Sequence, residues 1–213
     1  MKTKWAFLPV ALISILLLSI LFIYNTKFET YEQYITVNIV CLLWVPIVYI
    51  LIAENKSPAD FGFSPVESVR GYRLVGILYA AALPLFIIAA QMPVFRQYYP
   101  IQKQAAYDWG FFGYYELTYG MYLFCWEFFF RGFMLFGISR SIGWFAVIPQ
   151  AVAFGIMHIG KPGPEIFASF AAGLILGIIA LRSKSFVPCF VLHWASALTF
   201  DLLVILSKRG ILF

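Results

Sequence analysis

Long apolar runs separated by short polar breaks organise this chain from one end to the other. A helix of about 20 apolar residues crosses the hydrocarbon core of a bilayer, so each run reads as one membrane pass. The runs fall near residues 1–24, 35–53, 72–91, 117–136, 144–158, 164–182 and 185–207. The pattern therefore predicts an all-α polytopic membrane protein, a bundle of about seven transmembrane helices with six to eight as the bracket. No internal repeat and no low-complexity linker divides it, so residues 1–213 read as a single integral membrane domain.

The polar breaks carry their own signals. Ser57-Pro58-Ala59-Asp60 and Ser64-Pro65-Val66-Glu67 each place an N-cap serine, a proline at the first helical position and an acid at the third, which predicts two short surface helices. The stretch from Pro93 to Tyr119, rich in Tyr, Trp and Phe, suits a segment at headgroup level. Met1 to Tyr24 begins with Lys2 and Lys4 and is longer than a usual signal-peptide core without a small-x-small cleavage site. It is read as a retained first span.

Composition excludes an ordinary soluble domain: 62% of residues are hydrophobic, 12% are charged and the mean hydropathy is +0.86. The net charge of +5 is scattered among short loops and span ends, which excludes a nucleic-acid grip. It serves topology instead. With the N-terminus in the cytoplasm, Lys2, Lys4, Lys56, Arg70, Arg73, Arg140, Arg182 and Lys184 lie inside and Lys27, Arg96, Lys103, Lys161, Lys208 and Arg209 outside. Cys41, Cys125 and Cys189 sit in apolar runs without metal-ligand or disulfide spacing and read as packing residues.

Against this background, ionisable residues inside the runs mark function, because each is costly at bilayer depth. Glu127 and Arg131 stand four residues apart on one helix face with the acid first, so they can neutralise each other. Gly132 follows, where a neighbouring backbone can approach. His158 ends the fifth run, at the mouth of the bundle, since Ile159-Gly160-Lys161-Pro162-Gly163-Pro164 cannot continue a helix. Glu165 opens the next helix, and Ser169, Gly173 and Gly177 extend a small-residue face from it. His193 lies in the last run, and Asp201 follows eight residues later on roughly the same face, about 12 Å along, as a polar anchor or a group that orients His193 through water. His158 and His193 are the only histidines in the chain.

One carboxylate and two imidazoles suffice to activate a water. These strings, Glu127-x-x-x-Arg131, Phe154-x-x-x-His158 and His193 on a later span, resemble the CAAX-protease and bacteriocin-processing family of glutamic-type intramembrane endopeptidases, which includes the Ras-converting CAAX endopeptidase. The resemblance covers roughly residues 115–207. Two positions depart from it: Trp126 stands where the family's first glutamate activates water, and Ala197 where a polar residue helps hold the oxyanion.

The resemblance implies an intramembrane endopeptidase of a bacterial-type plasma membrane, acting on a membrane-associated peptide or protein without a tightly bound cofactor. The mechanism it implies has a carboxylate and His158 polarise water while His193 donates to the oxyanion. Arg131 keeps Glu127 ionised, and Glu165 supplies, or helps supply, the carboxylate lost at Trp126, its alternative role being to cap its own helix. The rival chemistry is zinc held by Glu127, His158 and His193. Outside enzymes, the alternatives are a catalytically silent immunity or peptide-binding scaffold and, third, a small transporter.

Overall fold

The computed structural model describes residues 7–64 and 69–211. Lys2, Lys4 and Pro65 to Glu67 of the second Ser-Pro start lie outside the described residues. Every regular element among those described is helical. Helix α1 is Leu8–Tyr24, α2 Tyr31–Ala53, α3 Val69–Ala89 and α4 Pro93–Tyr98. Helix α5 runs over residues 109–142, α6 is Val147–Ile156, α7 Gly163–Ser183 and α8 Val187–Lys208.

Five stretches are long and apolar enough to cross a membrane: Tyr31–Ala53, Gly71–Ala89, Trp109–Ile156, Gly163–Ser183 and Val187–Lys208, with Leu8–Tyr24 shorter. The 48-residue stretch folds back on itself. Its turn is at Gly143, whose φ of +60° favours a residue without Cβ. The stretch therefore contributes two antiparallel helices, α5 and the ten-residue α6, to an all-helical bundle that carries five stretches of spanning length. Trp126 and Phe130 of α5 meet Phe154 of α6 with ring centroids 6.0 and 5.4 Å apart, as an antiparallel hairpin requires.

Loop contacts confirm the alternation of passes. At one mouth, Tyr31 meets Thr118 at 3.1 Å, Lys208 Nζ donates to the Tyr99 carbonyl at 2.7 Å, and Arg209 donates to the Ala106 carbonyl at 2.7 Å. At the other, Arg140 meets Glu54 at 2.6 Å and the Phe186 amide donates to the Gly62 carbonyl at 3.2 Å.

Local chemistry sets the helix boundaries. Thr30 and Gln33 form a capping box, so α2 starts at Tyr31, earlier than the apolar run alone suggests. The Asp108 carboxylate accepts from the Gly110 and Phe111 amides, so α5 starts at Trp109 although its first turns are broken by glycines and tyrosines. Ser57 and Asp60 form the expected box before the short helix Pro58–Phe61.

Small residues then allow close packing. A Cβ at Gly132 would stand 3.0 Å from the Phe61 carbonyl oxygen, and one at Gly173 would stand 2.9 Å from Ala151 Cα. The face from Ser169 through Gly173 to Gly177 is thus the seam between α7 and α6. Gln150 stitches it, donating to the Gly173 carbonyl at 2.7 Å.

The aromatic segment 93–108 forms a cap over the first mouth. Lys103 Nζ donates to the carbonyls of Gln97 and Pro100 at 2.7 and 3.1 Å, holding the end of α4. The three cysteines are free thiols, with Cys125 and Cys189 buried and Cys41 half-buried.

Candidate active site

The site is built where α5, α6 and α8 meet. Glu127 ends the regular α-helical part of α5, and Phe128–Met134 continues as a π-helical stretch, a departure that recurs at functional sites. Glu127 and Arg131 are both fully buried. Arg131 Nη1 donates to Glu127 Oε1 at 3.1 Å, so the expected pair forms and presents no net charge to the bilayer. The same Oε1 lies 2.6 Å from His193 Nδ1. Glu127 Oε2 has no hydrogen-bond partner among the described residues.

Phe154 holds the cluster together. The Arg131 guanidinium carbon lies 3.8 Å from the centre of its ring, a cation–π contact in a dry setting. His158 and His193 lie against the same ring, with centroids 4.5 and 6.0 Å from it. Phe154 is therefore more than a motif letter: it seats the cation and both imidazoles.

The hydrogen bonds assign the imidazole protons. His158 Nδ1 lies 2.7 Å from the Phe154 carbonyl oxygen, which can only accept, so Nδ1 carries hydrogen. An ionised Glu127 likewise accepts from His193 Nδ1. In both neutral rings Nε2 is left with its lone pair. His193 is partly exposed, with 21% of its side chain accessible, whereas His158 is buried.

Trp126 fills the space where the resemblance expects a second carboxylate. Its ring lies 5.9 Å from that of His158 at 81°, and its buried Nε1 has no acceptor among the described residues. The site thus has a donor where relatives of the resembled type have an acid. Ala197 is partly buried against the apolar core.

Two expected site residues lie elsewhere. Glu165 is held at the mouth: Lys161 Nζ donates to Oε1 at 2.8 Å, and the Tyr99 hydroxyl reaches both oxygens at 2.8 Å. Burial alone would lower the Lys161 pKa, but Tyr99 and Glu165 hold it well above its ordinary range. Glu165 is thereby tied to the cap through Tyr99 and Lys161. Asp201 accepts from the Tyr115 hydroxyl at 3.2 Å and faces Glu116, as the polar anchor of a second layer.

Sequence reasoning passed over Glu116. It is 4% exposed and sits eleven residues before Glu127, three helical turns, hence on the same face of α5. That spacing was the available signal, hidden because Glu116 stands among tyrosines in a stretch read as interfacial.

For the zinc alternative, no group of three or more His, Cys, Asp or Glu among the described residues is placed to hold a metal ion. Glu127, His158 and His193 form no such group.

Residues 109–199 match the family model described as Rce1-like, type II CAAX prenyl endopeptidase Rce1-like. This segment, less than half of the chain, is similar to the Rce1-like family. No curated protein and no solved structure matched the chain. The Rce1-like segment runs from the start of α5 into α8 and takes in Glu127, Arg131, Phe154, His158 and His193. Its family is one of endopeptidases, and here it is carried by an integral multi-pass bundle.

Proposed function

We propose that this Rce1-like chain is an intramembrane endopeptidase that hydrolyses a peptide bond of a membrane-associated peptide or protein with water activated by Glu127, His193 and His158. The observation that carries the reading is the single oxygen Glu127 Oε1, which takes both Arg131 and His193. A carboxylate behind an imidazole fixes its tautomer and stabilises the imidazolium that forms when Nε2 takes a proton.

In this mechanism water donates one hydrogen to His193 Nε2 and the other to His158 Nε2. Hydroxide oxygen bonds to the substrate carbonyl carbon as His193 takes the proton. The tetrahedral oxyanion is met by Trp126 Nε1–H, the free donor of the site. His193 then returns its proton to the leaving nitrogen as the C–N bond breaks. The hydrogen bonds thus favour His193 as base, exchanging the histidine roles that the resemblance implies.

The protein's Nε2 atoms and carboxylate complete this cycle without a metal. The substrate class that fits is a peptide held at the membrane, such as a lipidated tail or a C-terminal sorting segment. The setting the reading favours is a bacterial-type plasma membrane. The test is proteomics of new peptide termini in membrane fractions with and without the protein. New termini that persist when a chelator is present are expected. A scaffold or transporter would yield none, and chelator-abolished cleavage with one zinc per chain would replace this mechanism by metal-activated water.

A further inference from the structure

Glu116 and Asp201 form a second layer of acid on the α5–α8 seam, three helical turns from Glu127 and about 16 Å along α5. Both are buried, 4% and 1% exposed. Their carboxyl groups are within hydrogen-bonding reach of each other. Asp201 Oδ2 accepts from Tyr115, and the other three oxygens, both of Glu116 and Oδ1 of Asp201, have no donor among the described residues.

Among the described residues no lysine or arginine forms an ion pair with either carboxylate. Tyr115 and Tyr119 on α5, Tyr31 on α2, Glu165 on α7, Lys208 on α8, Lys103 in the cap and Lys161 in the turn after α6 are the charged or titratable groups that act on it. Each lysine is engaged elsewhere: Lys161 with Glu165, Lys208 with the Tyr99 carbonyl and Lys103 with the cap carbonyls. Two ionised carboxylates in contact at bilayer depth would carry both their mutual repulsion and their desolvation cost. A proton between them removes one charge and turns an unpartnered oxygen into a donor.

We propose that Glu116 and Asp201 share one proton at neutral pH and that this proton bridges α5 to α8. The bridge positions the two helices that carry Glu127 and His193. Trp194 lies between the layers, its Nε1 donating to the Glu116 carbonyl at 3.1 Å. A Cβ at Gly120 would approach that indole to 2.6 Å, so the spacing of the seam is fixed between the two layers. The proposal does not depend on the peptidase reading, because its test reads no cleavage.

The test is infrared spectroscopy of the purified chain in lipid nanodiscs at neutral pH, in light and heavy water. The wild type should show a protonated-carboxyl C=O band, and the band should disappear in Glu116→Gln/Asp201→Asn. Absence of any such band from the wild type, which needs no variant to fold, would overturn the proposal. An unchanged band in the double variant would also overturn it. So would a metal cation found by elemental analysis at one per chain and lost in Glu116→Gln, because the pair would then be a cation site.

Discussion

A single carboxylate oxygen, Glu127 Oε1, organises the chemistry of this protein. It accepts from Arg131 and His193 at once, so the ion pair that neutralises a buried charge also orients the imidazole proposed as base. Breaking a buried pair from one side costs about 3–5 kcal/mol, so Glu127→Gln would confound catalysis with folding. Trp126→Phe separates them better, since it keeps an aromatic side chain while deleting an unpartnered N–H together with part of the buried indole. We expect kcat to fall about 10²-fold, the lower end for losing an oxyanion donor, with KM little changed and a lower melting temperature from the space left by the smaller ring. Equal kcat would remove Trp126 from the site. Glu165→Gln should leave turnover within a few-fold of wild type, because its oxygens serve Tyr99 and Lys161. Loss of cleavage in that variant, in protein that still folds, would restore Glu165 as a base. The charged pair and both histidines were legible in the sequence because ionisable groups stand out in apolar runs. Glu165's partner was not, since Tyr99 is 66 residues away and only folding brings the cap over the mouth.

At the scale of elements, close approach between helices decides the geometry. Gly173 rests on Ala151, and through that seam α7 fixes α6, which carries Phe154 and His158. Gly173→Leu inserts a side chain where even a Cβ stands 2.9 Å from Ala151 Cα, and backbone cannot yield as a side-chain end can. We expect a loss of about 1–3 kcal/mol and, because His158 moves with α6, reduced cleavage in the fraction that remains folded. Thermal unfolding and turnover measured on one preparation check both; wild-type stability would show that the seam is looser than described. The small-residue face was readable from its four-residue step. The start of α5 was not, because its first turns read as interfacial and only the Asp108 cap shows that the helix begins there. Asp201 was visible, yet its partner depended on which residues of α5 face α8 and so could not be paired in advance.

For the whole molecule, the alternation of helix directions places the cap, the His158–Glu165 turn and the end of α8 at one mouth, and Glu54 with Arg140 at the other. The expected orientation, with the N-terminus inside, would make the capped mouth extracytoplasmic and the proposed side of substrate entry. A cysteine at position 161 should react with an impermeant reagent added outside intact cells; labelling only from the cytoplasmic side would invert the orientation. Hydropathy separated the run at 117–136 from that at 144–158, and Gly143 lies in the break between them. It could not reveal how the chain turns there, because that depends on a single positive φ.

The account's central claim is that His193, backed by Glu127, is the base of a peptide hydrolase. The most direct measurement compares new peptide termini in membranes containing equal amounts of folded wild type or His193→Gln, whose amide can still donate to Glu127. The account predicts that wild-type termini form and that the variant generates them about 10²–10⁴-fold more slowly. Equal rates of cleavage by the two proteins, or no new termini with either, would contradict it.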